Sequence, residues 1–491
     1  MARRHLADLT RSVPRSRRVT DLTGLALLAL LALLVTGCVL KHPPDAAELR
    51  EQALPALQTP AQWGTPESVG PDNWLATFHD DQLTIAVAEA IGHNLDLRAG
   101  AARVEQAQLY AKLAGAKLYP SVDVLARGGG KLSGDGSGLQ GGVLTASWEV
   151  DLWGRVRYGR AASSAEAAAA ESDFEYARQS LAALVAKSWF LATEAGLQIE
   201  AARETIVAAD DLVRLAQERE RVGVASPEDV YVARSGAATY RDVLRQLEFG
   251  REQAIRALEL LLGRYPAAAA MTAPLLPGFP GEVPGGLPSV LLERRPDVVA
   301  AERRVAVAFN RIHEAKAARL PVISLTTGVS AISSELFLLQ EHDNPVWNVG
   351  AGLLAPIFRG GALKTQVEIR TAEQKQAIAN YASVGLRAFG EVEGALAAEI
   401  AARERETILT EALSDSQQAL AVVQTQFRVG STDLRFVQQR EVALNSTRSA
   451  LIRVQAEQRV QRVNLHLALG GSFEPPPPSI PAGPQPLPPR P

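Results

Sequence analysis

Two hydrophobic periods alternate along this chain. Over residues 141–151 the apolar Leu144, Ala146, Trp148 and Val150 alternate with Thr145, Ser147, Glu149 and Asp151. That period of two predicts a strand with one oily and one wet face. Asp151-Leu152-Trp153-Gly154-Arg155 breaks it, and from Arg155 to Arg221 no proline occurs while Ala, Leu, Glu and Arg dominate. At about 1.5 Å of rise per residue this reads as one helix on the order of 100 Å long. Along it Leu181, Val185, Ser188, Ala192, Ala195, Ile199, Ala202, Ile206, Ala209, Val213 and Ala216 recur at alternating spacings of three and four. A heptad seam so rich in small side chains packs along other long helices. Gly223 suits a helix C-terminus, and Ser226 and Pro227 suit the N-cap and first position of a returning helix. Gly223 is therefore the expected tip of a helical hairpin.

The same design is written twice. Before the first strand, residues 39–75 read as an irregular leader and residues 82–118 as helix, ended by Tyr119-Pro120. Val122, Val124 and Ala126 alternate in another strand at 121–127, and the Gly- and Ser-rich stretch 128–142 reads as a surface loop. It is a poor phosphate loop, since Leu132 follows Gly130-Lys131 and no helix begins there. After the returning helix, 227–263, comes a proline-rich connector, 265–288. A helix then starts at Pro296-Asp297-Val298, and a strand at 322–330 carries Ile323, Leu325 and Thr327 on one side. A loop through Glu341-His342-Asp343-Asn344 leads to a strand with Trp347, Val349, Ala351 and Leu353 on one face, broken at Pro356-Ile357-Phe358-Arg359-Gly360-Gly361. A second proline-free run repeats the seam at Leu409, Ala412, Ser416, Ala419 and Val423 and reaches Gly430. Gly223 and Gly430 are 207 residues apart, as are Gly263 and Gly470. Such self-similarity sets the architecture: two tandem repeats, 82–270 and 289–474, joined by a connector at 271–288.

Strands of this length match the ~9 to 11 residues that cross a bilayer when tilted, but four strands leave open edges that lipid cannot satisfy. Three copies would supply twelve strands, enough for a closed barrel with an aqueous lumen. The expected fold is thus mainly α with a membrane β-barrel, a trimer forming a 12-stranded barrel and a periplasmic α-helical tunnel. Conduction follows from that shape.

Five pieces carry a resemblance to a known family: residues 147–155, 287–297 with Arg294-Arg295-Pro296-Asp297, Pro356 to Gly361, Ala388-Phe389-Gly390-Glu391-Val392-Glu393, and Leu467-Ala468-Leu469-Gly470-Gly471. In that order they resemble the outer membrane factor family of TolC-like channels, in its lipidated branch related to OprM and NodT. The resemblance implies a homotrimer whose helical tips dock onto a periplasmic adaptor linked to an inner-membrane pump. It assigns Arg221, Gly223, Arg428 and Gly430 to those tips. Independently of docking, the glycines permit tight turns and the arginines satisfy helix C-terminal carbonyls. Family members carry an aspartate nine residues after the second tip glycine, ringing the pore entrance. Here that position is Gln439, with Phe436 three residues before it and Asp433 nearer the turn. A neutral constriction is expected, because glutamines hydrogen-bond across an axis without the mutual repulsion of carboxylates.

The N-terminus adds an address. Six arginines within the first eighteen residues precede an apolar run, 25–35, and Val35-Thr36-Gly37-Cys38. This is a secretory signal, 1–37, whose ending resembles a lipobox that would leave Cys38 acylated in outer membrane lipid, at the head of an anchor and leader, 38–81. Cys38 is the single cysteine, so no intramolecular disulfide forms. Removing residues 1–37 takes away six Arg and two Asp and moves the net charge from −3 to −7, which offers nucleic acid no basic footprint. Arg294 and Arg295 brace a helix start, and Trp148, Trp153 and Trp347 mark barrel ends. No His-Glu-x-x-His, Gly-x-Ser-x-Gly or cysteine pair occurs, so neither catalysis nor a cofactor or metal is expected. Residues 475–491, ten of them proline, read as an extended tail. A protein or oligosaccharide exporter could use the same duct, and Met271 alone in the mature chain makes a methionine-lined copper route hard to build. A non-conducting, lipid-anchored coiled-coil scaffold explains the helices and Cys38 but not the four strands.

Overall fold

The computed structural model describes residues 40–55, 73–127, 140–281, 293–333 and 346–474. In chain order the elements are α1 (Ala46–Ala53), a 3-10 helix (Trp74–Phe78), α2 (Asp81–His93), α3 (Leu95–Ala116), β1 (Ser121–Arg127), β2 (Gln140–Val150), α4 (Arg155–Arg221) and α5 (Pro227–Leu261). The second repeat supplies α6 (Pro296–Ala317), β3 (Val322–Ser333), β4 (Val346–Leu354), α7 (Ala362–Arg428) and α8 (Leu434–Ala468). The long helices α4 and α7 each run 67 residues, and the returning helices α5 and α8 each run 35.

Two expectations need correction. The helix expected over 82–118 is divided at Asn94, whose extended backbone ends α2 and whose Oδ1 accepts from the Leu97 N–H at 3.0 Å. Asparagine competes locally for backbone bonds, so it caps a new helix where it interrupts an old one. The leader is not irregular throughout. Asp45 caps α1 by accepting from the Glu48 N–H at 2.8 Å, and Trp74, Leu75 and Phe78 are buried in an apolar core.

The chain divides into two compact units. The first comprises 1–44, 111–163 and 306–374 and holds a four-stranded sheet of order β1-β2-β3-β4, antiparallel throughout. Register makes this sheet more than four amphipathic strands. Val124 lies opposite Leu144, Leu144 opposite Val329 and Val329 opposite Trp347. Leu325 lies between Trp148 and Ala351, and Ile323 between Val150 and Leu353. Directly opposed residues share a face, so the oily sides of all four strands merge, while Ser147, Glu149, Ser324, Thr326, Asn348 and Gly350 share the other. Trp347, Val349 and Leu353 are 74%, 88% and 71% exposed, and among the described residues β1 and β4 have no strand on their outer edges.

The strand-to-helix junction explains the tryptophan-rich motif. Asp151 accepts from the N–H groups of Val156 and Arg157 at 3.0 and 2.9 Å and so caps α4. Arg155 donates through two nitrogens to Glu149. The indoles of Trp148 and Trp153 donate to the carbonyls of Leu118 and Pro321 at 3.0 and 2.7 Å. Gly154 has a φ of +76°, and a Cβ on it would come within 2.8 Å of Leu40.

The second unit comprises 45–110, 164–305 and 375–491. Seam residues Leu181, Val185, Ala192, Ile199, Ala209 and Ala216 are buried there, as the heptad pattern requires. Three sequence motifs meet at one buried guanidinium. Arg295, 1% exposed, donates to Asp297 at 3.0 and 2.9 Å, to Glu391 at 2.7 Å and to the Ala468 carbonyl at 3.1 Å. Its pKa is held above the ordinary arginine value because the two carboxylates outweigh the cost of burial. The expected brace at the start of α6 is thus a node joining all three motifs. The connector is held by arginines too: Arg459 and Arg462 donate to the carbonyls of Pro277 and Gly281, and Arg403, Arg459 and Arg462 surround the Phe279 ring at 5.5, 5.7 and 4.7 Å.

Candidate functional site

The tips form where each long helix must stop and reverse. After Arg221 the chain enters the left-handed region at Gly223, φ +80°, and the Val224 N–H returns to the Arg219 carbonyl at 2.9 Å. Gly430, φ +84°, repeats this with Ser431 donating to the Gln426 carbonyl at 2.9 Å. Both turns are the glycine-closed helix ends anticipated, and a Cβ on Gly223 would meet nothing within 4 Å. The two restarts differ. Ser226 makes a full capping box with Asp229, whereas Asp433, its counterpart in the second repeat, caps α8 without a side-chain bond. Arg221, Gly223, Arg428 and Gly430 are all exposed.

What brings the two tips together escaped sequence reading. A small apolar core of Leu212, Ala216, Val230, Ala233, Phe427, Leu434 and Val437 joins both hairpins. Around it Arg219 donates to the Phe427 carbonyl at 2.7 Å and lies 4.6 Å over that ring. Gln438 donates to the Val232 carbonyl at 3.1 Å, and Arg435 pairs with Glu228 at 2.9 Å. These partners are 208, 206 and 207 residues apart, close to the repeat offset. Repeat-equivalent positions therefore meet across a local pseudo-twofold relation, and the 207-residue offset was the signal that could have paired Glu228 with Arg435.

The three residues assigned to a constriction all lie at the start of α8. Asp433 is its N-cap, Phe436 is 53% exposed in its first turn, and Gln439 is exposed one turn on. Two residues further, Glu441 is 5% exposed, and burial pushes its carboxyl up to about 7. Cys38 lies outside the described residues. Leu40 and Lys41, just after it, meet Gly154 and Tyr158, the Lys41 N–H donating to the phenol oxygen at 2.9 Å.

The family model for outer membrane efflux proteins matches residues 86–264 and 287–471, one match to each repeat. The chain belongs to the outer membrane efflux protein family. This efflux protein is 29% identical over 458 residues to the cation efflux system protein CusC of Escherichia coli O6:H1, covering 90% of this chain and 97% of that one. It is also 29% identical over 470 residues to the pyoverdine export outer membrane protein OpmQ of Pseudomonas putida, covering 91% and 97%. Among solved structures, CusC superposes with a TM-score of 0.76 at 26% identity over 88% of this chain and 99% of that one. The outer-membrane channel OprN superposes with a TM-score of 0.77 at 25% identity over 86% and 99%. The efflux protein therefore has the helix and strand arrangement of known outer membrane channels.

Proposed function

We propose that this efflux protein is the outer membrane component of a tripartite efflux system, a passive homotrimeric duct through which small toxic molecules leave the cell. The observation that carries the reading is the four-stranded sheet with one continuous apolar face and, among the described residues, no strand on either outer edge. An apolar face of that breadth is stable against lipid, and open edges are stable there only when other copies close them. Three copies bring twelve strands and set the paired hairpins of each copy side by side in a periplasmic tunnel. The exposed tips at Arg221, Gly223, Arg428 and Gly430 are the docking points for an adaptor, which connects the duct to an inner-membrane pump. Phe436, Gln439 and Asp433 line its periplasmic constriction.

The chain is anchored in the outer membrane through an acylated Cys38 once residues 1–37 are removed. Support comes from Leu40 and Lys41, held beside Gly154 and Tyr158 at the junction where Trp148 and Trp153 sit. Two residues of chain reach at most about 7 Å, so the acyl group would start at that tryptophan-marked level. Relatives serve cation efflux, pyoverdine export and toluene efflux, which supports a cargo chosen by the pump rather than the duct.

The test is twofold. Cysteines placed at Gly223 and Gly430 should crosslink an adaptor and bring down its pump, and the purified protein should run as a heat-modifiable trimer that opens pores in planar bilayers. A soluble monomer that forms no pore after loss of the acyl chain would instead indicate the scaffold.

A further inference from the structure

Among the described residues, three glutamates are buried among the helices of the second unit, and two are fully engaged. Glu259, 2% exposed, accepts from the N–H groups of Ala268, Ala269 and Ala270 at 2.8, 2.7 and 2.9 Å. Glu399, 1% exposed, is held by Arg462 at 2.9 and 2.6 Å and by Arg403 at 3.3 Å. Glu441 has neither kind of help: among the described residues, no cation or donor reaches its carboxylate. An ionised carboxylate so placed is costly, and a protonated one is not.

Its position gives that difference a consequence. One turn before Glu441 on α8, Gln438 donates to the Val232 carbonyl and lies within 2.9 Å of the point a Cβ would occupy on Gly236. Ala233 and Ala237 of α5, 2% and 1% exposed, flank that close approach. Glu441 shares this face of α8, since residues three apart lie together on a helix. Tyr240 of α5 is the titratable group facing it, and its phenol is pushed up by burial and then by the Glu441 charge, so it stays neutral. Tyr240 is also bonded to Asn445, which accepts from the Thr205 hydroxyl at 2.8 Å. On α4, Glu204 pairs with Arg448 and Asp210 with Arg241 of α5, so these charges are engaged with one another. Among the described residues it is burial, not a neighbouring charge, that raises the Glu441 carboxyl. Beyond Tyr240 and Asn445 a cavity of about 240 Å³ opens, lined also by Gln198, Thr205 and Arg448. It has room for water to follow a charge into the seam.

We propose that Glu441 is a proton-operated latch in the seam between α5 and α8: protonated, it keeps the two hairpins packed, and ionised, it loosens the start of α8 that carries Phe436 and Gln439. The functional half of this rests on reading those residues as the constriction. In acid the duct is held shut, and toward neutral pH and above it opens more readily. The opening that frees the carboxyl becomes about tenfold more favourable per pH unit above the ordinary glutamate value near 4.3, then levels off once the buried carboxyl itself ionises near 7.

Hydrogen exchange, corrected for the intrinsic rate, tests the latch on the full-length trimer without reference to conduction. Amides of 434–445 should lose about 40-fold in protection between about pH 5 and about pH 7. In E441Q, and in E441M as an apolar control of matched length, the profile should be flat. Wild-type protection that does not vary with pH, or a slope in both variants equal to wild type, overturns the latch. Single-channel recording separates the two readings. Open probability that rises with pH in wild type and not in E441Q supports both, whereas exchange that follows the latch in a protein forming no pore overturns the duct alone.

Discussion

Replacing Arg295 by alanine removes a guanidinium that is 1% exposed and leaves Asp297 and Glu391 facing each other without their shared cation. Four donor contacts are lost, three of them to carboxylates, where a charge-assisted bond contributes about 1.5 to 3 kcal/mol. Breaking a buried ion pair from one side costs about 3 to 5 kcal/mol. The carboxylates are only partly buried, at 15% and 42% side-chain exposure, so water recovers part of that and the lower end, about 3 kcal/mol, is expected. Arg295→Lys keeps the charge but not the fork, and should cost about half as much. Glu391→Gln, at the more exposed partner, should cost about 1 kcal/mol. Urea unfolding of the detergent-solubilised protein, followed by circular dichroism with heat-modifiability as a trimer control, measures all three. If Arg295→Ala lies within about 1 kcal/mol of wild type, or Glu391→Gln equals it, the node does not organise this region and the reasoning from burial fails.

Glycine substitutions separate backbone strain from crowding. Gly223→Ala, at φ +80° with open space around it, should cost about 1 kcal/mol, whereas Gly263→Ala, at φ +74° with the His93 carbonyl 2.9 Å from its new Cβ, should cost clearly more by the same unfolding measurement. Gln439→Asp should convert a weakly selective channel into a cation-selective one in bilayers, and strong cation selectivity in the wild type that disappears on changing Asp433 alone would contradict the neutral constriction. Glu441→Gln should change stability with pH. A folded pKa raised to about 7 makes the wild-type contribution whole below about pH 4.5 and lost as pH rises through 7, so the variant gains up to about 3 kcal/mol at pH 8 and nothing at pH 4, read as the shift in unfolding midpoint.

The period of two, the heptad seam and the absence of proline were enough to place the strands and the long helices, because each signal is local and repeats many times. The tips were legible for the same reason: Gly223 and Gly430 must be left-handed where a helix stops, and no neighbour is needed to require it. Asn94 was missed, since one capping side chain inside a helical pattern changes the chain direction without changing its composition. Trp74 and Phe78 were missed because their burial depends on Phe190 and His466, more than 100 and 380 residues away.

By itself the sequence determined the repeat, the alternation within each strand and the residue types at the tips, all properties of spacing along one chain. Tertiary structure alone decided which oily faces merge, since a shift of one residue in register would have turned a strand to the other side. It also decided that Arg295, Glu391 and Ala468 share one site, that Arg219 and Gln438 tie the two tips, and that Glu441 is buried without a partner. These depend on which residues distant in the chain meet, and on what water they exclude when they do.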